Sequence, residues 1–425
     1  MIRLKKKYLP RIADVKLTLA LEAMGAVLIE GPKWCGKTST AENIAKSVLY
    51  MQDPDTFDEN MLKAKTKPSL LLEGETPRLL DEWQVAPVLW NAVRFAVDKR
   101  QETGQFILTG SVVPVRTGEM HSGTGRISRM RMRTMSLYES GESSGEIKLR
   151  NLFDGKTEMN GKSQVTLEQI AYALTRGGWP AAVNEHNETL ALKKASDYYE
   201  AVVNEDISRV DNVEKNPDRV RSLMRSLSRN ISSEASTTTI WNDLRANDES
   251  LSQVTIDQYV KALKILYVID DLPAWSPSLR SKTAIRTTAK RHFSDPSIAT
   301  AALGATTKRL WDDFCTFGLL FEALCIRDLR IYADSLGGGV YHYRDAKGAE
   351  VDAITQLHDG RWGAIEVKMG AGDIESAADN LIGFKANIDT ARMQEPSFLM
   401  VLTATESAFQ MENDVWVVPL GCLKD

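Results

Sequence analysis

Gly25-Ala-Val-Leu-Ile-Glu-Gly-Pro-Lys-Trp-Cys-Gly-Lys-Thr38 is the stretch whose chemistry decides the fold. Its first six residues make an apolar run too short for a helix and suited to a strand buried on both faces. The next eight, Gly31-Pro32-Lys33-Trp34-Cys35-Gly36-Lys37-Thr38, match G-x-x-x-x-G-K-[ST] at every fixed position. The pattern has a mechanism. Glycines let the loop turn so that backbone N–H groups face phosphates, Lys37 reaches β- and γ-oxygens, and Thr38 offers a hydroxyl to Mg²⁺. A helix over Thr38–Leu49 would aim the partial positive charge of its N-terminus at the same anion. Residues Gly31 to Thr38, with Ser39 beside them, are therefore the candidate contacts for ATP.

Outward from this stretch the alternation continues. Arg78–Asp81 reads as a strand, Val88–Lys99 as a helix and Gln105–Thr109 as another strand, which implies a parallel α/β sheet with crossover helices. Leu79-Leu80-Asp81-Glu82 ends the second strand in two acids. An acid there can hold Mg²⁺, and the following Glu82 can orient the attacking water. Phe106-Ile-Leu-Thr109-Gly-Ser111 ends the third strand in hydroxyls, so Thr109 or Ser111 is placed to bond the water or the γ-phosphate. Arg126-Ile-Ser-Arg129-Met-Arg131-Met-Arg133 carries four arginines and no acid. Arg126 is the candidate finger for a neighbouring subunit's γ-phosphate, with Arg129 and Arg131 as rivals, and a solvated strand or a nucleic-acid contact as the plainer reading. A finger of this kind requires a homo-oligomer.

The bulk numbers set bounds. At 425 residues the chain is too long for one core and implies two or three domains. With 43% hydrophobic and 26% charged residues it has an ordinary globular composition, and no run of about 18 apolar residues predicts a membrane span. The N-terminus is basic without an apolar h-region, so it does not read as a secretion signal. Cys35, Cys315, Cys325 and Cys422 form no CxxC, which points to a reduced, cytoplasmic protein. A net charge of −4 gives no global argument for nucleic acid; any such argument must be local. Residues 139–163 are rich in Gly, Ser, Glu and Lys and read as loops. Helices are expected from Leu167 to about residue 270, broken at Gly177-Gly178-Trp179-Pro180, with a mixed α/β region from about 310.

Two local patches carry the case for DNA. Arg219, Arg221, Arg225 and Arg229 lie on one expected helix, and Arg280, Lys282, Arg286, Lys290 and Arg291 follow one another with no acid between them. Such clusters neutralise phosphates and give salt-dependent affinity, although charge runs are usually solvated faces. Between them, Thr239–Leu244 and a helix bearing Ile256, Tyr259, Val260, Leu263 and Leu266 on one face resemble a helix-turn-helix. A helical packing module reads equally well from the same residues, because the outward positions are only mildly cationic.

Near the C-terminus, Gly339–Arg344, Glu350–Gln356 and Gly363–Met369 read as an antiparallel three-strand meander. Asp352 lies in the second strand; Glu366 and Lys368 lie two apart in the third and so share a face. Phosphodiester hydrolysis needs carboxylates to hold Mg²⁺ and a lysine to steady developing charge, and Asp352…Glu366-x-Lys368 supplies those groups.

The combination of GPKWCGKT, LLDEWQ, FILTGS, HSGTGRISRMRMRTMSLYESG and RGGWP resembles a widespread family of prokaryotic AAA-type ATPases. Their C-terminal domain, of unknown function, is related to PD-(D/E)xK nucleases. The resemblance implies a P-loop AAA+ type parallel sheet (1–163), a helical lid (164–212), a winged-helix-like domain (213–305) and a restriction-endonuclease-like α/β domain (306–425). It also implies that Arg176, before Gly177, resembles the arginine such lids aim at the phosphates, against the alternative of an arginine that merely ends a helix. Glu322 resembles the extra helix-borne acid of the nuclease class, joining Asp352 and Glu366 as a metal ligand. The expectation that follows is an oligomeric, hexamer-like ATPase that acts on DNA and carries a metal-dependent nuclease domain. The rival is an ATP-driven regulatory or protein-remodelling switch whose nuclease-like domain only binds. A defence-like sensor that cuts when triggered is a third reading.

Overall fold

The computed structural model describes residues 8–110, 122–156, 158–211, 213–276, 288–345, 348–388 and 393–425. Two compact units divide the chain: Met1–Thr134 with Arg209–Val213 and Ile265–Tyr267, and the remainder from Met135 onward.

The first unit is built on a five-stranded sheet. Its strands are β1 (Ala26–Glu30), β2 (Ser47–Tyr50), β3 (Arg78–Asp81), β4 (Phe106–Thr109) and β5 (Ile127–Arg131), in the order β2-β3-β4-β1-β5 among the described residues. Every pairing is parallel. β1 shows why its apolar run is continuous. Ala26 and Leu28 enter one core with Trp90, Val93 and Leu108, while Val27 and Ile29 enter another with Leu17, Leu79 and Met130. Each such buried aliphatic side chain stabilises the unit by about 1.5–3 kcal/mol. Because β4 lies between β1 and β3, the ends of β3 and β4 adjoin each other beside the loop that leaves β1.

The second unit carries a mixed sheet with β7 (Gly161–Lys162), β8 (Gly338–Arg344), β9 (Glu350–Leu357), β10 (Trp362–Lys368), β11 (Phe398–Thr403), β12 (Ser407–Gln410) and β13 (Val415–Pro419), ordered β7-β12-β13-β11-β10-β9-β8. β8, β9 and β10 form an antiparallel meander, whereas β10, β11 and β13 run parallel. A separate ladder joins β6 (Ile147–Lys148) to β14 (Leu423–Lys424). The helix Ile374–Ala386 covers one face, where Trp275, Trp362 and Phe384 pack with ring centroids 4.8–6.4 Å apart.

Helices Pro217–Arg229, Thr237–Arg245 and Gln253–Ile265 precede two antiparallel bridges, Ile269 with Phe293 and Leu272 with Lys290. Ser236 caps the second helix by accepting the Thr239 N–H, so the polar run before it marks a true helix start. A buried polar seam ties the unit together. Gly178 N–H donates to Asp295 at 2.9 Å, Asp295 meets Arg327 at 3.2 Å, and Asp328 pairs with Arg327 while accepting Leu137 N–H. Burial costs such charges dearly unless they are paired, and all of these are.

The expected ATPase core runs to residue 163; the compact first unit takes Met1–Thr134 with Arg209–Val213 and Ile265–Tyr267. Residues 139–163, read as loops, contain β6, β7 and the short helix Leu149–Phe153. Their strands are two residues long, too short to show a period, and their partners lie at the far end of the chain.

Candidate functional site

In the first unit, the residues after β1 form a tight loop into the helix Lys37–Ile44. Two glycines are required there. A Cβ at Gly31 would stand 2.1 Å from the Met132 carbonyl oxygen, and Gly36 adopts φ 103°. The loop is braced from behind by Arg11, whose guanidinium donates to the carbonyls of Cys35 at 2.8 Å and Arg133 at 2.9 Å. Cys35 is buried, while Trp34 stands outward with φ 64°. Lys33 and Pro32 complete the turn, and Ser39 lies in the first turn of the helix. The Lys37 ammonium is buried and donates to the carbonyls of Gly31 at 2.9 Å and Pro32 at 2.8 Å. It thus lies inside the loop, held by the loop's own carbonyls.

Asp81, at the end of β3, binds both neighbouring strand and helix. Its Oδ1 accepts the Thr38 hydroxyl at 2.8 Å and the Thr109 hydroxyl at 2.6 Å. The three residues come from three segments, and the parallel register Asp81–Thr109 is what aligns two of them. Glu82 follows in the left-handed region, φ 54°, and its carboxylate accepts from the Gln84 amide. That backbone is rare for a non-glycine residue and turns Glu82 away from the strand direction.

The arginines at and within β5 are engaged within the unit. Arg126 pairs with Asp98 at 2.7 Å and remains half-exposed. Arg129 pairs with Glu30 at 2.6 Å beneath Trp90, and Arg131 stacks on Tyr267 at 5.0 Å. The alternative hydroxyl, Ser111, lies outside the described residues.

In the second unit, Arg176 is buried, donating to Glu142 at 2.5 Å and to the Gly177 carbonyl at 3.0 Å. Its observed partners match the plainer reading of an arginine that ends a helix. Of the two basic patches, Arg219 pairs with Asp248 and Arg221 with Glu200, whereas Arg225 and Arg229 are exposed on one helix face. Arg280, Lys282 and Arg286 lie outside the described residues. Lys290 and Arg291 are buried in ion pairs, Arg291 with Asp271 at 3.0 Å, so these two do not face a nucleic acid.

The C-terminal acids do converge. Asp352 accepts the Val367 N–H at 2.9 Å, Glu366 accepts from Lys368 at 3.0 Å and from Asn380 at 2.8 Å, and Lys368 lies 3.8 Å from Asp352. Glu322, from the helix Phe314–Ser335, reaches the same cluster. At its centre is a residue that charge-run reasoning assigned elsewhere. Lys290 Nζ lies 3.3 Å from Glu322, 2.9 Å from Glu350 and 3.5 Å from Asp352. Burial alone would lower the Lys290 pKa, but the facing carboxylates outweigh it and raise it. Burial and the nearby Asp352 push Glu322 up to about 8, partly offset by Lys290. The same two causes push Glu366 up to about 7, partly offset by Lys368. Among the described residues no group of three or more His, Cys, Asp or Glu side chains is arranged as for a metal ion, and of the three acids expected to hold one, Glu322 and Asp352 face the Lys290 ammonium. Nor is any described helix long and apolar enough to cross a membrane.

Residues 24–141 match the family described as AAA domain, residues 167–309 a domain of unknown function (DUF8612) and residues 317–423 another (DUF4143). The uncharacterized proteins Rv2008c of Mycobacterium tuberculosis and Mb2031c of Mycobacterium bovis are each 30% identical over 141 residues, which is 32% of this chain. The match spans 31% of the length of those relatives. Among solved structures, the Walker-type ATPase PABY2304 of Pyrococcus abyssi aligns at TM-score 0.42 and 14% identity, covering 71% of this chain and 99% of that one. A signal-transduction ATPase with numerous domains and a tetratricopeptide repeat sensor, PH0952 of Pyrococcus horikoshii, aligns at TM-score 0.24 and 13% identity, over 77% of this chain and 50% of that one. The loop, the parallel sheet and the family match together mark residues 24–141 as an AAA-type domain.

Proposed function

We propose that this protein hydrolyses ATP with Mg²⁺ at the P-loop, as a homo-oligomer. The observation that carries the reading is Asp81 Oδ1 accepting hydroxyls from both Thr38 and Thr109. Thr38 and Asp81 offer hard oxygens side by side, the donor set by which Mg²⁺ is held through one or two protein ligands plus phosphates. The bound ion supplies positive charge to the β- and γ-oxygens. The chain supplies the rest. Lys37 leaves the Gly31 and Pro32 carbonyls for the phosphates, and loop N–H groups hold them in place. Thr109 keeps the Asp81 carboxylate oriented. Glu82 orients the attacking water and takes its proton, and an arginine at or in β5, Arg126 just before it first, reaches a neighbouring subunit's site. Lys37→Ala should lose nucleotide binding in calorimetry, and Glu82→Gln should bind ATP but hardly turn it over. Full turnover by Glu82→Gln would remove that residue from the reaction.

DNA as the substrate of this motor is favoured by one observation, the exposed pair Arg225 and Arg229, a turn apart on the helix Pro217–Arg229 beside a helix-turn-helix-like arrangement. Fluorescence anisotropy with duplex DNA tests it. Affinity should fall steeply with salt, and the double substitution Arg225→Ala with Arg229→Ala should flatten that slope by about two units, one per phosphate contact. Binding indifferent to salt would favour the remodelling switch.

A further inference from the structure

We infer that the Lys290 ammonium stands in the place where a nuclease of this fold would hold its divalent ion, so that the C-terminal domain is charge-complete without metal and does not cut phosphodiesters by metal-dependent chemistry. The lysine's position is independent of whether the first unit hydrolyses ATP. Asp352 and Glu322 are the acids such a site would aim at the ion, and both face Lys290 Nζ within 3.5 Å, as does Glu350. Mg²⁺ requires oxygens at about 2.1 Å in near-octahedral array. An ion at that distance from these carboxylates would collide with the ammonium and repel it.

Lys290 has little freedom to yield. Its side chain is 3% exposed. Its backbone is locked on both sides, N–H to the Leu272 carbonyl at 2.9 Å and carbonyl to the Leu272 N–H at 2.8 Å. The next residue is pinned as firmly, Arg291 donating to the Ala235 carbonyl and pairing with Asp271. The stem therefore enters the acidic cluster from a fixed rail. On the far side Lys368 engages Glu366 and Asp352, the role a steering lysine would have, but here its reach is shared with an internal cation. Swinging Lys290 out would leave Glu322 with no cation in contact and Glu350 and Asp352 with only the more distant Arg344 at 4.0 Å and Lys368 at 3.8 Å, a costly arrangement at that depth.

The experiment reads Mn²⁺ binding to the full, nucleotide-free chain by electron paramagnetic resonance. Wild type and Asp352→Asn should bind the same number of ions, and Glu322→Gln, a second variant of matched size, should agree. Lys290→Met, which keeps the stem's volume and removes its charge, should gain one Mn²⁺ per chain with at least tenfold tighter binding than any wild-type site, and adding Asp352→Asn should abolish the gain. A wild-type site lost in Asp352→Asn or Glu322→Gln would overturn the inference. So would a folded Lys290→Met chain that gains no ion.

Discussion

Replacing Thr109 by valine isolates a single hydrogen bond. The side chain is 1% exposed and valine keeps its shape, so no cavity opens. What disappears is the hydroxyl that donates to Asp81 Oδ1 at 2.6 Å. Hydrogen bonds to a charged acceptor contribute about 1.5–3 kcal/mol. Asp81 keeps the Thr38 hydroxyl, which places the loss near the lower part of that range, about 2 kcal/mol. In a unit of this size such a loss lowers Tm by about 4–8 °C. If all of it is felt in the transition state, turnover falls by up to about 30-fold. Nucleotide affinity should change little, because Lys37 and the loop N–H groups are untouched. Differential scanning calorimetry and a phosphate-release assay read the two effects, and Thr109→Ser, which retains the hydroxyl, should recover most of the rate. A Thr109→Val chain with unchanged Tm and turnover within twofold of wild type would refute the placement of Asp81 at the centre of this site.

Arg126→Ala should retain ATP binding and lose turnover; mixing it with Lys37→Ala subunits should restore part of the activity if the arginine serves a neighbour, and no recovery would leave Arg126 with its Asp98 pairing alone. His342 is buried with Nε2 3.0 Å from the Thr288 carbonyl, and burial first, then Lys290, pushes its pKa down to about 4. An unfolded histidine titrates near about 6.5, so between those values protons favour the unfolded chain. The stability is whole above pH 6.5 and drains away as pH falls towards 4, by on the order of 3 kcal/mol at the bottom of the window. Urea denaturation across that range should show a shallower loss for His342→Gln, and an unchanged slope would count against the burial argument. Gly178→Ala should destabilise the second unit by about 1–3 kcal/mol, since its Cβ would meet the Met135 carbonyl oxygen at 2.2 Å; a melting temperature equal to wild type would show that this backbone can give way.

The P-loop strand and the start of its helix, and Thr38, Asp81 and Thr109 one by one, were legible because each is signalled locally. An apolar run, a spaced motif and an acid at a strand end place these side chains before any long-range packing is known. The helix, expected to run to Leu49, stops at Ile44, Ser47–Tyr50 pairs instead as β2, and the hydrogen bonds of Asp81 to both hydroxyls were not foreseen. Arg11 was not legible: it braces the loop through backbone carbonyls, which leave no residue-type signature. Asp352, Glu366 and Lys368 were found from alternation within the meander, but the second cation, Lys290 against Glu322, Glu350 and Asp352, was not. Lys290 sits in a run of basic residues that, counted by sequence, resembles a solvated face. Its true partners, Glu322, Glu350 and Asp352, come from a helix and a strand that follow it in the chain, so burial reversed the meaning of its charge. The ion pair of Arg176 was likewise not legible, because Glu142, its partner, lies in a stretch that composition marked as loop.

The ladders β6–β14 and β7–β12 bear on how the molecule can be dissected. A ribosome releases residues 147–162 long before 407–424, so those short strands must wait, unpaired, until the last part of the chain emerges. A fragment beginning near residue 317 would lose both early strands and leave the outer rim of β12 open to pairing with another chain, an aggregation hazard. A fragment ending near 141 would carry a tail that belongs to the other unit, and any fragment ending there or at Thr134 would lose Arg209–Val213 and Ile265–Tyr267, including the Tyr267 ring on which Arg131 stacks.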